Sequence, residues 1–502
     1  MLSITKSICL QGLEGIIIDV EVDISKGMPC FQIVGLPDTN IKESKERVKT
    51  AIKNCGIEME SKKYIINLSP ANVRKDGAVL DLAIAVGILS SLKAIKSFNV
   101  NEFVFIGELS LDGKLNKVNG ILPICIEAIK NKIKKIVLPK DNVKEALILP
   151  GIEIIGVENL FEVINYLNGN LKISPEKTEI NFNKKTNYLI DYHDVKGQRL
   201  IVRALEIAAA GNHNSLMIGP PGSGKTMMAK RITTIMPDLS FDEALEITKI
   251  YSISGKLKEG KIVDERPFRN PHYNITEKSL IGGGINPKPG EISLAHLGVL
   301  FLDELLEYKK NTLEMLRIPM EDKEINISRV GINVKYPCNF MLIASMNPCP
   351  CGYYRSRVKK CSCTDKQRNS YISKLSGPLL DRFDIQLSVS EVDLSKIHSD
   401  SCELSINIKK RVNLARNIQK ERYKSLKIYS NSELTPKLIE KYCNINNSCK
   451  KILDSSFKKL NLSMRGYTKI LKVARTIADI EQKENIEENH VLEAIQYRSF
   501  IK

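Results

Sequence analysis

Residues Gly219, Pro220, Pro221, Gly222, Ser223, Gly224, Lys225 and Thr226 fit the pattern G-x-x-x-x-G-K-[ST]. Glycines at this spacing let backbone N–H groups turn inward around phosphate oxygens. Lys225 then reaches the β and γ phosphates, and the Thr226 hydroxyl can ligate Mg²⁺. Further along, residues 299–304 read VLFLDE, an apolar strand pattern ending in two carboxylates. Beside a phosphate loop, Asp303 is expected to hold the Mg²⁺ water shell, and Glu304 to orient and polarise the water that attacks the γ-phosphorus. Alone, an apolar run followed by two acids reads as readily as surface charge; paired with the loop, it predicts ATP hydrolysis.

This chemistry needs a strand before the loop and a helix after it. Residues 215–218 (SLMI) are a short apolar run, and residues 227–235 continue as a helix, which is the order a phosphate cradle requires. Around this core the 502 residues predict an α/β chain of several domains. Residues 1–166 read as mixed α/β. Ile16, Ile18, Val20, Val22 and Ile24 alternate with Asp19, Glu21 and Asp23, the period of a strand buried on one face. Helices are expected at 41–54 and 79–92, and a strand at 135–138. Residues 167–188, rich in Asn, Lys and Glu, predict a linker. Residues 189–392 hold the nucleotide motifs, and 393–502 predict a helical domain with long stretches at 406–423 and 467–482. No internal repeat is visible.

Net charge is +17, and its distribution is uneven. Residues 401–502 carry 21 Lys+Arg against 11 Asp+Glu, and residues 351–370 carry six basic residues against one acid. Such surfaces suit a polyanion such as DNA, although a Lys-rich composition also describes an ordinary solvated surface. No apolar run approaches the roughly 18 residues that span a bilayer, and the N-terminus lacks a signal-peptide core. A cytoplasmic protein with its 12 cysteines reduced is therefore expected. Cys349, Cys351, Cys361 and Cys363 lie within 15 positions, a spacing that could supply a structural Zn²⁺ site; free thiols and another metal are the alternatives. The cluster encloses Arg355, Arg357, Lys359 and Lys360.

Three further stretches match the order of an AAA+ module. MLIASMN ends in Asn347 at the sensor-1 position, GPLLDRFD sets Arg382 at the arginine-finger position, and LSMRGYTKI sets Arg465 at sensor 2. Arginine suits both roles, because its charge is permanent and its planar fork fits phosphate oxygens. PCFQIVGLPD, RPFRNPHYNIT, GGINPKPGEISLAHLGVLFLDE and ASMNPCPCGYY extend the likeness. Nearly end to end, the chain resembles the YifB/ComM group of magnesium-chelatase-like AAA+ proteins. The resemblance implies a ribosomal S5 domain 2-like N-terminal domain, an AAA+ core with an insertion in helix 2, and a C-terminal helical lid. It also implies ATP and Mg²⁺ as cofactors, assembly into a homo-hexameric ring and action on DNA as a branch-migration motor. Residues 279–296, broken by Gly and Pro, fit the inserted hairpin, and residues 324–336 fit a hairpin before sensor 1. Lys288, Arg329 and Lys335 on these hairpins are the candidates for gripping a nucleic-acid backbone, with plain hairpin solubility as the competing reading.

The N-terminal domain also resembles Lon-type peptidases around Lys75-Asp76-Gly77 and residues 106–139. At the serine position stands Val79, and near Ile124, where the lysine partner would fall, the run is apolar. A Ser–Lys mechanism needs a hydroxyl and an amine, so peptidase chemistry is not expected. The leading expectation is an ATP-driven DNA-remodelling motor. A protein or cofactor remodeller of the chelatase motor-subunit type, and an ATP-regulated scaffold, are the alternatives.

Overall fold

The alternating N-terminal pattern builds a sheet. Strand β1 (Leu2–Gln11) pairs antiparallel with β2 (Glu14–Ser25), in which Ile18, Val20, Val22 and Ile24 are buried. β3 (Cys30–Val34) pairs parallel with β4 (Lys63–Ser69), and β4 returns antiparallel beside β2, giving the order β1-β2-β4-β3. A second sheet is all parallel. In it β5 (Phe103–Phe105) and β9 (Glu153–Val157) flank β8 (Lys135–Pro139), while β6 (Glu108–Leu109) and β7 (Leu115–Asn116) form a short hairpin. Helices Thr39–Asn54 and Asp81–Ser91 lie close to the expected spans. The second is buried along almost all its length, which accounts for its lack of a polar face. Val79 and Ile124 sit in apolar surroundings, Ile124 almost fully buried.

The computed structural model describes residues 2–73, 75, 77–176, 188–258, 260–284, 286–329, 332–356, 358–391, 402–426, 428–459 and 462–498. Residues 177–187, half of the expected linker, therefore fall outside the described residues, as does the expected boundary at 392/393. The preceding helix, Leu160–Asn168, ends with Gly169 in the left-handed conformation.

Five parallel strands make the central sheet: β10 (Ser215–Ile218), β11 (Phe268–Arg269), β14 (Val299–Leu302), β17 (Met341–Met346) and β18 (Ile385–Ser388), in the order β11-β14-β17-β10-β18. β10, β14 and β17 are buried at every residue, as a parallel sheet covered on both faces demands. Because β10 lies between β17 and β18, and β14 lies beside β17, segments distant in sequence meet where these strands end. The Gly/Pro-rich segment forms a small antiparallel pair, β12 (Gly282–Gly283) with β13 (Lys288–Pro289), between helices Glu277–Ile281 and Glu291–Leu294. β15 (Glu324–Arg329) and β16 (Ile332–Pro337) form the second expected hairpin. The C-terminal part is helical, with Ser405–Arg422 and Met464–Ile480 as its longest helices. No helix among the described residues is long and apolar enough to cross a membrane.

Candidate nucleotide site

The register of the central sheet assembles the site. Ile218 pairs with Met346, and Leu302 pairs with Ala344, so the phosphate loop, Asp303 and Asn347 all emerge at the carboxyl ends of adjacent strands. Gly222 and Gly224 have φ of +77° and +83°, backbone that side chains resist. They bend the loop directly into helix Lys225–Arg231, which is anchored by buried Met228 and Ala229. Lys225 Nζ donates to the carbonyls of Gly219 at 2.7 Å and Pro220 at 2.8 Å, and lies 3.5 Å from Asn347 Oδ1. Burial pushes its ammonium pKa down, opposed by the nearby charges of Asp303 and Glu304.

The Thr226 hydroxyl donates to Asp303 Oδ2 at 2.7 Å. The other carboxylate oxygen, Oδ1, accepts from the Ser345 hydroxyl and from the Glu304 N–H at 3.1 Å. Glu304 takes a left-handed backbone, φ 52° and ψ 50°, uncommon for a side-chain-bearing residue. That turn at the end of β14 leaves its side chain exposed beside a partly buried Asp303. Neighbouring carboxylates thus differ in setting: one is tied to two hydroxyls, the other faces solvent. The hydroxyl and carboxylate oxygens of Thr226 and Asp303 are hard donors of the kind Mg²⁺ prefers.

Family models described as magnesium chelatase, subunit ChlI, match residues 191–397 and 20–142, and the model of its C-terminal part matches 402–498. The competence protein ComM of Haemophilus influenzae is 38% identical over 509 residues, covering 100% of this chain and 98% of that protein. YifB of Escherichia coli is 41% identical over 501 residues, covering 99% and 97%. The chain belongs to the YifB/ComM family of magnesium-chelatase-like proteins. As a member of that family it is an AAA+ ATPase, for which ATP and Mg²⁺ are the family's cofactors. Over 147 residues, 29% of this chain and 26% of the relative, it is also 30% identical to Lon protease 2 of Bacillus subtilis.

The two arginines that the YifB/ComM pattern singles out lie apart from the phosphate loop's contacts. Arg382 is only 10% exposed: it pairs with Glu321 at 2.7 Å and donates to the carbonyls of Pro378 at 2.7 Å and Arg317 at 3.2 Å. Arg465 is exposed in the first turn of its helix, which Ser463 caps. Lys288 and Lys335 are exposed on their hairpins, Lys335 pairing with Glu324 at 3.2 Å; the Arg329 side chain lies outside the described residues. The Sγ atoms of Cys349, Cys351, Cys361 and Cys363 all lie within 4.8 Å of one another. Arg357 lies outside the described residues.

Ser345 is a site residue that motif spacing misses. Its signal is a lone hydroxyl in an otherwise apolar strand, MLIASM, two positions before Asn347 and therefore on the same face.

Proposed function

We propose that this protein is a ring-forming, ATP-driven motor that remodels DNA. The observation that carries the ATPase half is the meeting of Lys225, Thr226, Asp303 and Asn347 at the ends of β10, β14 and β17. In this reading the phosphate loop from Gly219 to Thr226 cradles the triphosphate, and Thr226 and Asp303 hold Mg²⁺. Glu304 polarises the attacking water and Asn347 helps to place it. Arg382 reaches the nucleotide of a neighbouring subunit once its pair with Glu321 opens, and Arg465 acts as sensor 2.

Residues 1–166 act as an S5 domain 2-like, Lon-related domain without peptidase chemistry, 189–392 as the AAA+ core, and 393–502 as the lid. The β12–β13 pair is the helix-2 insertion. It packs beside the β15–β16 hairpin, since the Tyr336 hydroxyl donates to the Pro287 carbonyl at 2.7 Å. Lys288, Arg329 and Lys335 on these hairpins contact the DNA backbone in the pore of a hexamer. A relative named for competence supports DNA as the client. ATP hydrolysis measured without DNA and with single strands, duplex and a four-way junction tests the reading. DNA stimulation that weakens with salt and vanishes in Lys225→Ala supports the motor; hydrolysis indifferent to every DNA overturns the DNA half.

A further inference from the structure

Two Cys-x-Cys turns, Cys349–Cys351 and Cys361–Cys363, close on each other to form one compact sulfur cluster. Cys349 Sγ lies 3.4 Å from Cys351 Sγ and 3.6 Å from Cys361 Sγ, and Cys351 Sγ lies 3.6 Å from Cys361 Sγ. These separations far exceed a disulfide bond, and all four cysteines are free. They approach the edge of about 3.8 Å that four thiolates make around a zinc-class ion bound at about 2.3 Å. Backbone N–H groups point at the sulfurs, as they do where thiolate charge must be stabilised. Tyr354 donates to Cys349 Sγ at 3.3 Å, Cys351 to Cys363 Sγ at 3.4 Å, and Cys363 to Cys361 Sγ at 3.4 Å.

Between the two turns the described contacts are polar: the Ser356 hydroxyl donates to Glu391 at 2.5 Å, and Lys359 lies 4.9 Å over the Tyr353 ring. Arg355, Val358, Lys359 and Lys360 are all exposed, Val358 at 79%, so apolar burial cannot offset the entropy of ordering this segment. Ligand bonds to one ion can.

The cluster also touches the nucleotide site. One residue, Pro348, whose ring fixes its φ, separates Asn347 from Cys349. Gly352, at φ +85°, is held by its N–H to the Cys349 carbonyl at 2.9 Å and lies against the phosphate loop. A Cβ there would come within 2.8 Å of Pro221 Cδ and 3.9 Å of Asn347 Cγ. The loop built on the cysteines is thus wedged between the phosphate loop and the residue expected to place water.

We propose that Cys349, Cys351, Cys361 and Cys363 bind one zinc-class divalent cation, and that this centre braces Asn347 and Pro221 for ATP turnover. Metal binding stands on the sulfur geometry alone; the coupling rests on the nucleotide site proposed above.

Metal analysis of the reduced full-length protein is expected to find one zinc per chain, lost in Cys361→Ser/Cys363→Ser. Removing the ion from the native protein with a chelator should lower hydrolysis about tenfold or more, with affinity for a fluorescent ATP analogue changed by less than about threefold, and added zinc should restore turnover. Chelation and restoration decide the question if the double variant fails to fold. Gly352→Ala is expected to keep its zinc and lose turnover. Reduced protein without stoichiometric metal, or with iron in its place, overturns the site. Turnover unchanged by zinc removal, or a loss of nucleotide binding equal to the loss of turnover, overturns the coupling. Lys225→Ala, which should keep zinc and lose the nucleotide, separates these outcomes from failure of the nucleotide site itself.

Discussion

Asp303 and Glu304 are chemically similar and differ by one position, yet their surroundings differ. Asp303 accepts from Thr226 and Ser345, which fixes its orientation, whereas Glu304 sits on a strained left-handed turn with its carboxylate exposed. Glu304→Gln should therefore keep nucleotide binding and lose turnover by about 10²–10⁴-fold, because an amide cannot polarise water as a carboxylate does. Unchanged hydrolysis would remove Glu304 from the mechanism. Ser345→Ala tests the orienting role separately. It deletes the hydroxyl that Asp303 Oδ1 accepts from, and the one 3.4 Å from the Glu304 N–H. A Mg²⁺ titration of hydrolysis should show the half-saturating concentration raised about tenfold; an unshifted curve means Asp303 needs no such support.

At the scale of elements, an ion pair fastens the C-terminal helices to the central sheet. Asp384, just before β18, pairs with Lys469 of helix Met464–Ile480 at 2.7 Å. It also contacts His213, which precedes β10 and reaches Thr476 of the same helix at 2.8 Å. Burial opposes the charge on Asp384, but Lys469 and His213 outweigh it and hold the carboxyl well below its usual range. Burial likewise pushes the His213 imidazole down, against the raising effect of Asp384. Both folded-state pKa values are depressed, so on acidification the unfolded chain takes up protons before the folded one does. The stabilisation is present above about pH 6.5, and it erodes as pH falls first through the unfolded histidine value and then, near about pH 4, the unfolded carboxylate value. Urea unfolding followed from pH 7.5 to 4 should show this decline. Asp384→Asn strands the Lys469 charge in the interior and should cost about 3–5 kcal/mol at neutral pH. A urea midpoint matching wild type would show that the pair does not hold these helices to the sheet.

For the whole molecule, the packing of parts bears on how nucleotide turnover is transmitted. The turn between β1 and β2 abuts the β15–β16 hairpin: a Cβ at Gly12 would lie 2.5 Å from Val334 Cγ1. Buried Glu145 accepts from Ser252 of helix Phe241–Ser254, which ties the second N-terminal sheet region to the core. A shift of this hairpin would therefore press on the N-terminal part. Assembly is tested by mixing inactive variants. Lys225→Ala removes the lysine proposed to hold the phosphates, and Arg382→Ala removes the arginine proposed to act on a neighbour. If the two act across an interface, mixed assemblies contain some interfaces with both groups intact, and hydrolysis should reappear on mixing. Mixtures as inactive as either variant alone would argue that Arg382 serves its own chain.

Much of the site was legible because its parts are local. A glycine-rich loop between a strand and a helix, an apolar run ending in two acids, and four cysteines within 15 positions are each set by neighbours in sequence. The alternation of β2 and both hairpins were legible for the same reason. Sequence alone thus determined the glycine-rich loop between a strand and a helix, the adjacent acids after an apolar strand, the resemblance to the YifB/ComM family and the mixed α/β character. Only the tertiary structure decided which distant segments meet. The strand order β11-β14-β17-β10-β18 brings Ser345 to Asp303 and Asn347 to Lys225, and folding of the cysteine loop sets Gly352 against Pro221. The same holds for Arg382, whose pairing with Glu321 depends on a contact across 61 positions. Local patterning reports which face of an element is buried, whereas contacts between elements depend on crossovers and register, which no short stretch of residues encodes.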